Sequence, residues 1–420
     1  MDALSIKTLI IGILVFDFLV ERILDYLNIK NLSAPLPANV ADVYDTTEYV
    51  RSQTYQKEKE KVEQFQSYFQ FALYILLLTQ GYLGGLYDGI ATYVSASPSL
   101  SSVSFYASNL LFFGVLFIIS DIISTPFSIY NTFVIEEKYG FNKSTVKLFI
   151  TDKIKGYLLT IIIGALIISL LLFLIQSLGT SFWWIFWIII SALIISLNMF
   201  YTSLLLPLFN KLTPLGDGEL KDAIQAYCVK EHFPVDNIYI MDGSKRSNKA
   251  NAFFSGFGKK KKIVLFDTLV DQHSIPELIA ILAHEAGHFK KKHIIQMMVL
   301  SVFQIGVYLF LLSLLIESTN VSIALGATGN SIALNLIGFG LLFSPVSTLT
   351  GILVNILSRK NEYEADAFAA ATSSAADLGI ALKNLSKKNL SNLTPHPAYV
   401  FLHYSHPPVT QRLEAMGINK

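Results

Sequence analysis

Two histidines four residues apart, with a glutamate after the first, carry the most reactive pattern in this chain: His284-Glu285-Ala286-Gly287-His288. On a helix, a spacing of four brings both imidazoles to one face, about one turn apart. Such a pair holds a metal ion, and zinc is the ion these donors suit. Glu285 leaves the ligand face but stays within reach of a water at the metal, whose proton a carboxylate can take. A catalytic zinc needs three protein ligands and an open fourth position. No third histidine follows at the spacing of the longer metzincin motif. The third donor is expected in Asn361-Glu362-Tyr363-Glu364-Ala365-Asp366, with Glu362 as the ligand. Asp366 lies four residues on, on the same helical face, and can orient a ligand imidazole. Glu364 falls on the other face and reads as a solvated charge. His232, His273, His293, His396 and His403 read as ordinary histidines.

These residues need elements to hold them. Ser274 with Glu277 three residues on has the form of a capping box, and Pro276 suits a first turn. A helix is therefore expected from Ile275 through both histidines. Farther upstream, Ala252-Phe253-Phe254 and Ile263-Val264-Leu265-Phe266 read as a hairpin around 256–262. Its edge suits an extended peptide added as a further strand.

Composition sets the surroundings. Of 420 residues, 52% are hydrophobic and 15% charged, where soluble chains carry about 25% charge. The net charge of +1 gives no field for a polyanion, so no nucleic acid is expected as a partner. The single cysteine, Cys228, excludes an intramolecular disulfide and a thiolate cluster, and it reads as a small buried hydrophobe in a helix.

Seven apolar stretches are long enough to cross a bilayer: 6–27, 69–92, 105–129, 154–176, 182–208, 294–317 and 331–357. Membrane lipid is the partner this implies. The first stretch carries Asp17, Glu21 and Arg22 and lacks a cleavage site, so it reads as a span and not as a signal peptide. The segments after spans two, four and six hold no Lys or Arg, whereas the other long connections are rich in them, as at Lys57 to Lys61, Lys259 to Lys262 and Lys290 to Lys292. The positive-inside rule then puts the N-terminus outside and the C-terminus in the cytoplasm. The Lys259–Lys262 run reads as a solvated loop, Lys290–Lys292 as an interface anchor, and Trp183, Trp184 and Trp187 as an outer interfacial belt.

The expected fold class is an all-α polytopic membrane protein with seven transmembrane helices and a cytoplasmic α+β zinc metallopeptidase domain. Residues 1–208 supply spans one to five, with cytoplasmic loops 31–66 and 130–153. Residues 209–293 form the metallopeptidase part, 294–357 spans six and seven, and 358–420 the cytoplasmic part with the third ligand. Spans six and seven share a short outer loop, so their inner ends return together. That brings Glu362 near His288.

Taken together these residues resemble the integral-membrane zinc CAAX prenyl proteases, the seven-span type related to the a-factor convertase. Further segments carry the likeness: Tyr44-Asp45 to Tyr55, Pro126 to Glu137 with Tyr139-Gly140-Phe141-Asn142-Lys143, Pro207 to Leu215, Asp242 to Ser247 leading to Asn251 to Gly256, and His406-Pro407 with Arg412-Leu413. The resemblance implies one Zn2+ per chain on His284, His288 and Glu362, with Glu285 as base. It implies that Asn251 holds substrate or oxyanion, that His406 stabilises the tetrahedral intermediate, and that Asp366 and Arg412 support the ligands. It also implies a ring of helices around a wet chamber, which Asp17, Asp121 and Asp152 would face. The substrate it implies is a peptide or protein, in the family a prenylated one, cut at the cytoplasmic membrane face.

Two features depart from the pattern. Ser247-Asn248-Lys249-Ala250-Asn251 stands where comparable members have Ser-Ser-His-Ser-Asn, and the C-terminus lacks a retrieval signal. Both point to a prokaryotic member in a bacterial inner membrane, with the endoplasmic reticulum as the alternative. The other functions open to such a chain are membrane-protein quality control and, in another class, a transporter or channel with a structural zinc.

Overall fold

The computed structural model describes residues 1–232, 237–255 and 262–418. Helices dominate its first half: α1 (Ala3–Asn31), α2 (Thr46–Thr79), α3 (Tyr82–Ala96), α4 (Ser104–Tyr130), α5 (Val146–Leu178), α6 (Phe182–Phe200) and the single turn α7 (Leu206–Phe209). A mixed segment follows: β1 (Leu212–Pro214), α8 (Glu219–Lys230), β2 (Asn237–Met241), β3 (Ala252–Ser255), β4 (Lys262–Phe266), α9 (Asp267–Gln272) and α10 (Ile275–Lys290). The rest is again helical: α11 (His293–Ser313), α12 (Thr319–Ala324), α13 (Ile332–Thr372), α14 (Ala375–Lys388), α15 (Pro397–His403) and α16 (Val409–Ala415).

Among the described residues, five helical stretches are long and apolar enough to cross a membrane: Ala3–Asn31, Ser101–Glu136, Val146–Phe209, His293–Ser313 and Ile332–Thr372. A sixth appears if α2 and α3 count as one span bent by 62°. That bend corrects the continuous span expected over 69–92. The chain breaks at Gly81, whose φ is +69°, a left-handed conformation that glycine adopts without strain. Gly84 then lies so close to Gly326 that a Cβ would sit 1.9 Å from its carbonyl carbon.

Charged groups in the apolar helices have partners. Asp17 accepts from Ser344, Asp121 accepts from Lys153 at 3.0 Å and from Tyr157, and Asp152 takes both forks of Arg246 at 2.8 and 3.0 Å. Trp187 departs from the belt reading. Its Nε1 donates to Val302 O at 2.7 Å and its ring packs on Gly306, so it fastens α6 to α11.

The four strands form one sheet in the order β1-β2-β4-β3. β2 and β4 run parallel, whereas β3 pairs antiparallel with β4, Phe253 opposite Val264. The hairpin is the one read from the sequence; its tip at 256–261, with most of the Lys259–Lys262 run, lies outside the described residues. β1 and β3 are the edge strands, and β3 is the one that leads from Asn251. Buried side chains of β4 (Ile263, Leu265), α10 (Leu278, Ala280, Leu282) and α14 (Leu378, Ala381) make one core. Cys228 of α8 belongs to it as the small buried hydrophobe expected. The core fixes α10 against the sheet on one side and α13 on the other.

Candidate metal centre and active-site cleft

α10 begins at Ile275 with Pro276 in its first turn. The capping box does not form: Ser274 takes the N-cap position without a side-chain hydrogen bond. Glu277 is drawn away instead, accepting from Asn384 of α14 at 3.4 Å. Packing against α14 replaces the local cap.

α13 runs unbroken from the apolar region to Thr372, and so carries Glu362 directly to α10. The two helices meet at Gly287. A Cβ there would lie 2.9 Å from the Ala365 Cα and 3.1 Å from its carbonyl oxygen. Only a residue without a side chain permits this approach, and the approach closes the metal group. His284, His288 and Glu362 each offer a ligand atom, all within 4.8 Å of one another. His284 Nε2 and His288 Nε2 are 3.2 Å apart. Glu362 Oε1 is 3.1 Å from His288 Nε2, and its Oε2 is 3.6 Å from His284 Nε2. Glu362 is 3% exposed and its Oε2 has no hydrogen-bond partner. The Arg412 guanidinium stands 3.6 Å from that oxygen, an ion pair beyond hydrogen-bond distance, so the buried oxygen beside two imidazole nitrogens still lacks a direct partner that a metal cation would supply. Two imidazoles and one carboxylate are a donor set that zinc accepts.

Behind His284, Asp366 Oδ1 lies 2.8 Å from Nδ1. A proton on Nδ1 donates to it, which leaves Nε2 as a lone pair aimed at the metal position. Arg412 of α16 donates to Asp366 at 2.8 Å from Nε and 2.6 Å from Nη2. Burial alone would push the Asp366 carboxyl up, but its bonds to Arg412 and His284 outweigh it and hold the group below its ordinary range.

His288 has a support of its own, on residues the sequence reading set aside. Its Nδ1 lies 3.0 Å from Nδ1 of His293, and His293 Nε2 lies 3.3 Å from Glu364 Oε2. A proton on His288 Nδ1 donates to His293, and one on His293 Nε2 donates to Glu364. His293 is thus not an ordinary histidine, and Glu364 is not merely a solvated charge. The four remaining histidines have local partners or none that matter here: His403 pairs with Glu21 at 3.2 Å, and His396 caps α15.

The cleft over the metal group, about 380 Å³, is lined by Asn251, Glu285 and His406 together with the three metal-ligating candidates. Burial raises the Glu285 carboxyl; His284 and His288 oppose this and the Glu362 charge adds to it. A carboxyl shifted upward is a better proton acceptor than a surface glutamate. Asn251 lies just before the edge strand β3. Its Oδ1 accepts from Ala252 N at 2.8 Å, so its remaining group is an Nδ2 donor. His406 Nε2 stands 3.4 Å from Glu362 Oε1, with Ser405 Oγ on its Nδ1 at 2.9 Å. Lys249, the departure in this segment, is satisfied: it pairs with Glu136 at 2.9 Å and donates to Tyr55 at 2.9 Å. Together the cleft holds a metal donor set, a carboxylate beside it, two donors on its rim and an open strand edge.

The chain matches two family models in succession. Residues 25–211 match the CAAX prenyl protease N-terminal model, described as five membrane helices, and residues 214–417 match peptidase family M48. It is 33% identical to CAAX prenyl protease 1 of Saccharomyces cerevisiae over 98% of this chain and 95% of that one. It is 33% identical to the CAAX prenyl protease 1 homolog of Arabidopsis thaliana over 99% of this chain and 98% of that one, and 31% identical to the Homo sapiens homolog over 92% and 89%. The crystal structure of S. mikatae Ste24p superposes with a TM-score of 0.91 at 32% identity, covering 98% of this chain and 99% of that one.

Proposed function

Because the chain belongs to the CAAX prenyl protease family of M48 peptidases, we propose a division of labour among the residues of its cleft. The protein is an integral, multi-pass membrane metalloendopeptidase of the CAAX-prenyl-protease type. The observation that carries the assignment of roles is the buried Glu362 carboxylate, its Oε2 without a hydrogen bond, facing two histidine nitrogens whose far sides are both held by hydrogen bonds.

In this reading His284, His288 and Glu362 hold one zinc ion. Zinc, when bound, polarises the scissile carbonyl and acidifies the water that attacks it. Glu285 receives that water's proton and returns it to the leaving amine. Asn251 and His406 donate to the carbonyl oxygen as it gains charge. Asp366, anchored by Arg412, fixes the His284 ring, and His293 with Glu364 fixes the His288 ring. The substrate backbone lies along β3 as an added strand, which sets the scissile bond across the metal. A closed structural zinc would require a fourth protein donor, and among the described residues the group holds three.

Two results are expected from this arrangement. Replacing His406 or Asn251 by Ala lowers kcat by about 10²–10³-fold while zinc content stays at the wild-type level; a variant that keeps full kcat has no part in the reaction. Replacing His293 by Phe weakens zinc binding by about 10–100-fold in competition with a chelating dye. Equal affinity would show that the His288 ring needs no such support.

The membrane count follows from length. A straight 64-residue helix would extend about 96 Å at about 1.5 Å per residue, three times a ~30 Å hydrocarbon core. The stretch is instead α5 and α6, joined by a tight turn at Gly179–Ser181 and packed on each other. Counting them separately, with α2–α3 as one bent span, supports the reading of seven spans. The Lys/Arg asymmetry puts the metal centre on the cytoplasmic side. The relatives from yeast, plant and human lend no support to the bacterial membrane read from the Ser247–Asn251 segment and the C-terminus.

A further inference from the structure

A second cavity touches the metal centre from the membrane side. Its volume is about 350 Å³, within the range of sites that hold small ligands. It lies between the inner ends of α6, α11 and α13, and His288 is part of its wall as well as of the catalytic cleft. Asn361, one residue before Glu362, lines it too. Asn361 is 4% exposed, and its Nδ2 has no hydrogen-bond partner. A buried amide donor without an acceptor costs roughly 1–3 kcal/mol, so this one calls for an acceptor that occupies the cavity.

The lining is ordered along the helices. Asn361 and His288 stand at the metal end. One turn from Asn361 comes Ser358, and a turn into α11 come Ile294, Met297 and Met298; the polar groups of Ser301 and Asn198 at the same depth are spent on carbonyls of their own helices. Met297 and Met298 lie four and five residues beyond His293, about 6–8 Å deeper at about 1.5 Å per residue. Methionines at that depth make a wall that adapts to an irregular apolar chain. A donor near the metal above a largely apolar floor suits a residue next to the scissile bond whose side chain bears a hydrocarbon, with the donor on a backbone carbonyl other than the one attacked.

Resting on the protease reading above, we propose that this cavity receives the lipid-bearing residue of the substrate. Asn361 Nδ2 donates to the backbone carbonyl oxygen of the residue before it, and Ile294, Met297 and Met298 take its hydrocarbon chain. His288 divides this cavity from the catalytic cleft. The peptide on the other side of the scissile bond lies in the cytoplasmic cleft, and the lipid points back toward the bilayer from which it came.

The test uses full-length zinc-loaded protein carrying Glu285→Gln, in phosphatidylcholine vesicles. The probe is a CAAX peptide whose cysteine bears a farnesyl group with a diazirine on its last isoprene unit. After irradiation and digestion, the label is expected on the α11 peptide that contains Met297 and Met298. Excess unlabelled farnesylated peptide should compete it away, and Met297→Trp with Met298→Trp should reduce it about tenfold. Label on lipid-facing helices that competitor does not remove would mean that the chain stays in the bilayer, and the proposal would fall. Label confined to α14 residues of the cytoplasmic cleft would overturn it equally. Cleavage of the same peptide by the wild-type protein reports separately on the protease reading.

Discussion

Replacing Glu285 by Gln leaves zinc bound and lowers turnover by about 10³-fold or more. The substitution keeps the size of the side chain and its place in the cleft but removes the group that accepts a proton. The three metal donors are untouched, and so are Asp366 and His293 behind them. General-base catalysis alone is worth about 10²–10⁴-fold. Loss at the upper end is expected because the same carboxylate would serve twice, on the attacking water and on the leaving amine. Turnover within a few-fold of wild type would remove Glu285 from the mechanism. Loss of zinc together with activity would show that the residue serves the metal site and not the proton.

The second large effect comes from a residue with no functional group. Gly287→Val is expected to destabilise the protein and to weaken zinc binding more than tenfold. The added Cβ would meet the Ala365 Cα at 2.9 Å and the Phe368 Cβ at 3.1 Å. The nearest atoms are backbone, so relief requires that α10 and α13 move apart. Overpacking of this kind costs typically about 1–3 kcal/mol. The separation also draws Glu362 away from His284 and His288, which stand on the opposite helix. Thermal unfolding and zinc competition, measured on one preparation, read the two effects. Wild-type zinc affinity in a folded Gly287→Val protein would mean that the ligand geometry does not depend on this contact.

Much of the site was legible because its signals are local or topological. His284 and His288 share a face by simple helical spacing. Glu362 follows from a hairpin of membrane helices that brings two inner ends together. Other parts were hidden for physical reasons. His293 opens a new helix after Lys292, which adopts a left-handed backbone at φ +60°. No periodicity carries across such a reversal, so nothing in the sequence turned its ring toward His288. The helical face of Glu364 shows in the sequence, but the residue that packs there, His293, does not. Ser274 and Glu277 have the letters of a capping box, but Asn384 from α14 competes for the carboxylate. The break between α2 and α3 has a signal in Gly81, but the long apolar run around it carries the pattern of an unbroken span. The pairing of Lys249 with Glu136 and Tyr55 joins residues more than a hundred positions apart and has no local trace.

The site therefore belongs to the membrane helices as much as to the sheet. Glu362 and Glu364 extend from α13, and His293 opens α11. Only α10 and the Asn251 strand come from the mixed segment. A soluble fragment of 209–293 would hold the two-histidine motif without its third donor.

The most direct measurement is a zinc titration of the metal-stripped full-length protein in vesicles, with cleavage of a farnesylated CAAX peptide followed at each point. No cleavage is expected without metal, with activity rising to a plateau at one equivalent per chain. Cleavage that persists in the stripped protein, or one equivalent of tightly bound zinc with no cleavage, would contradict the assignment.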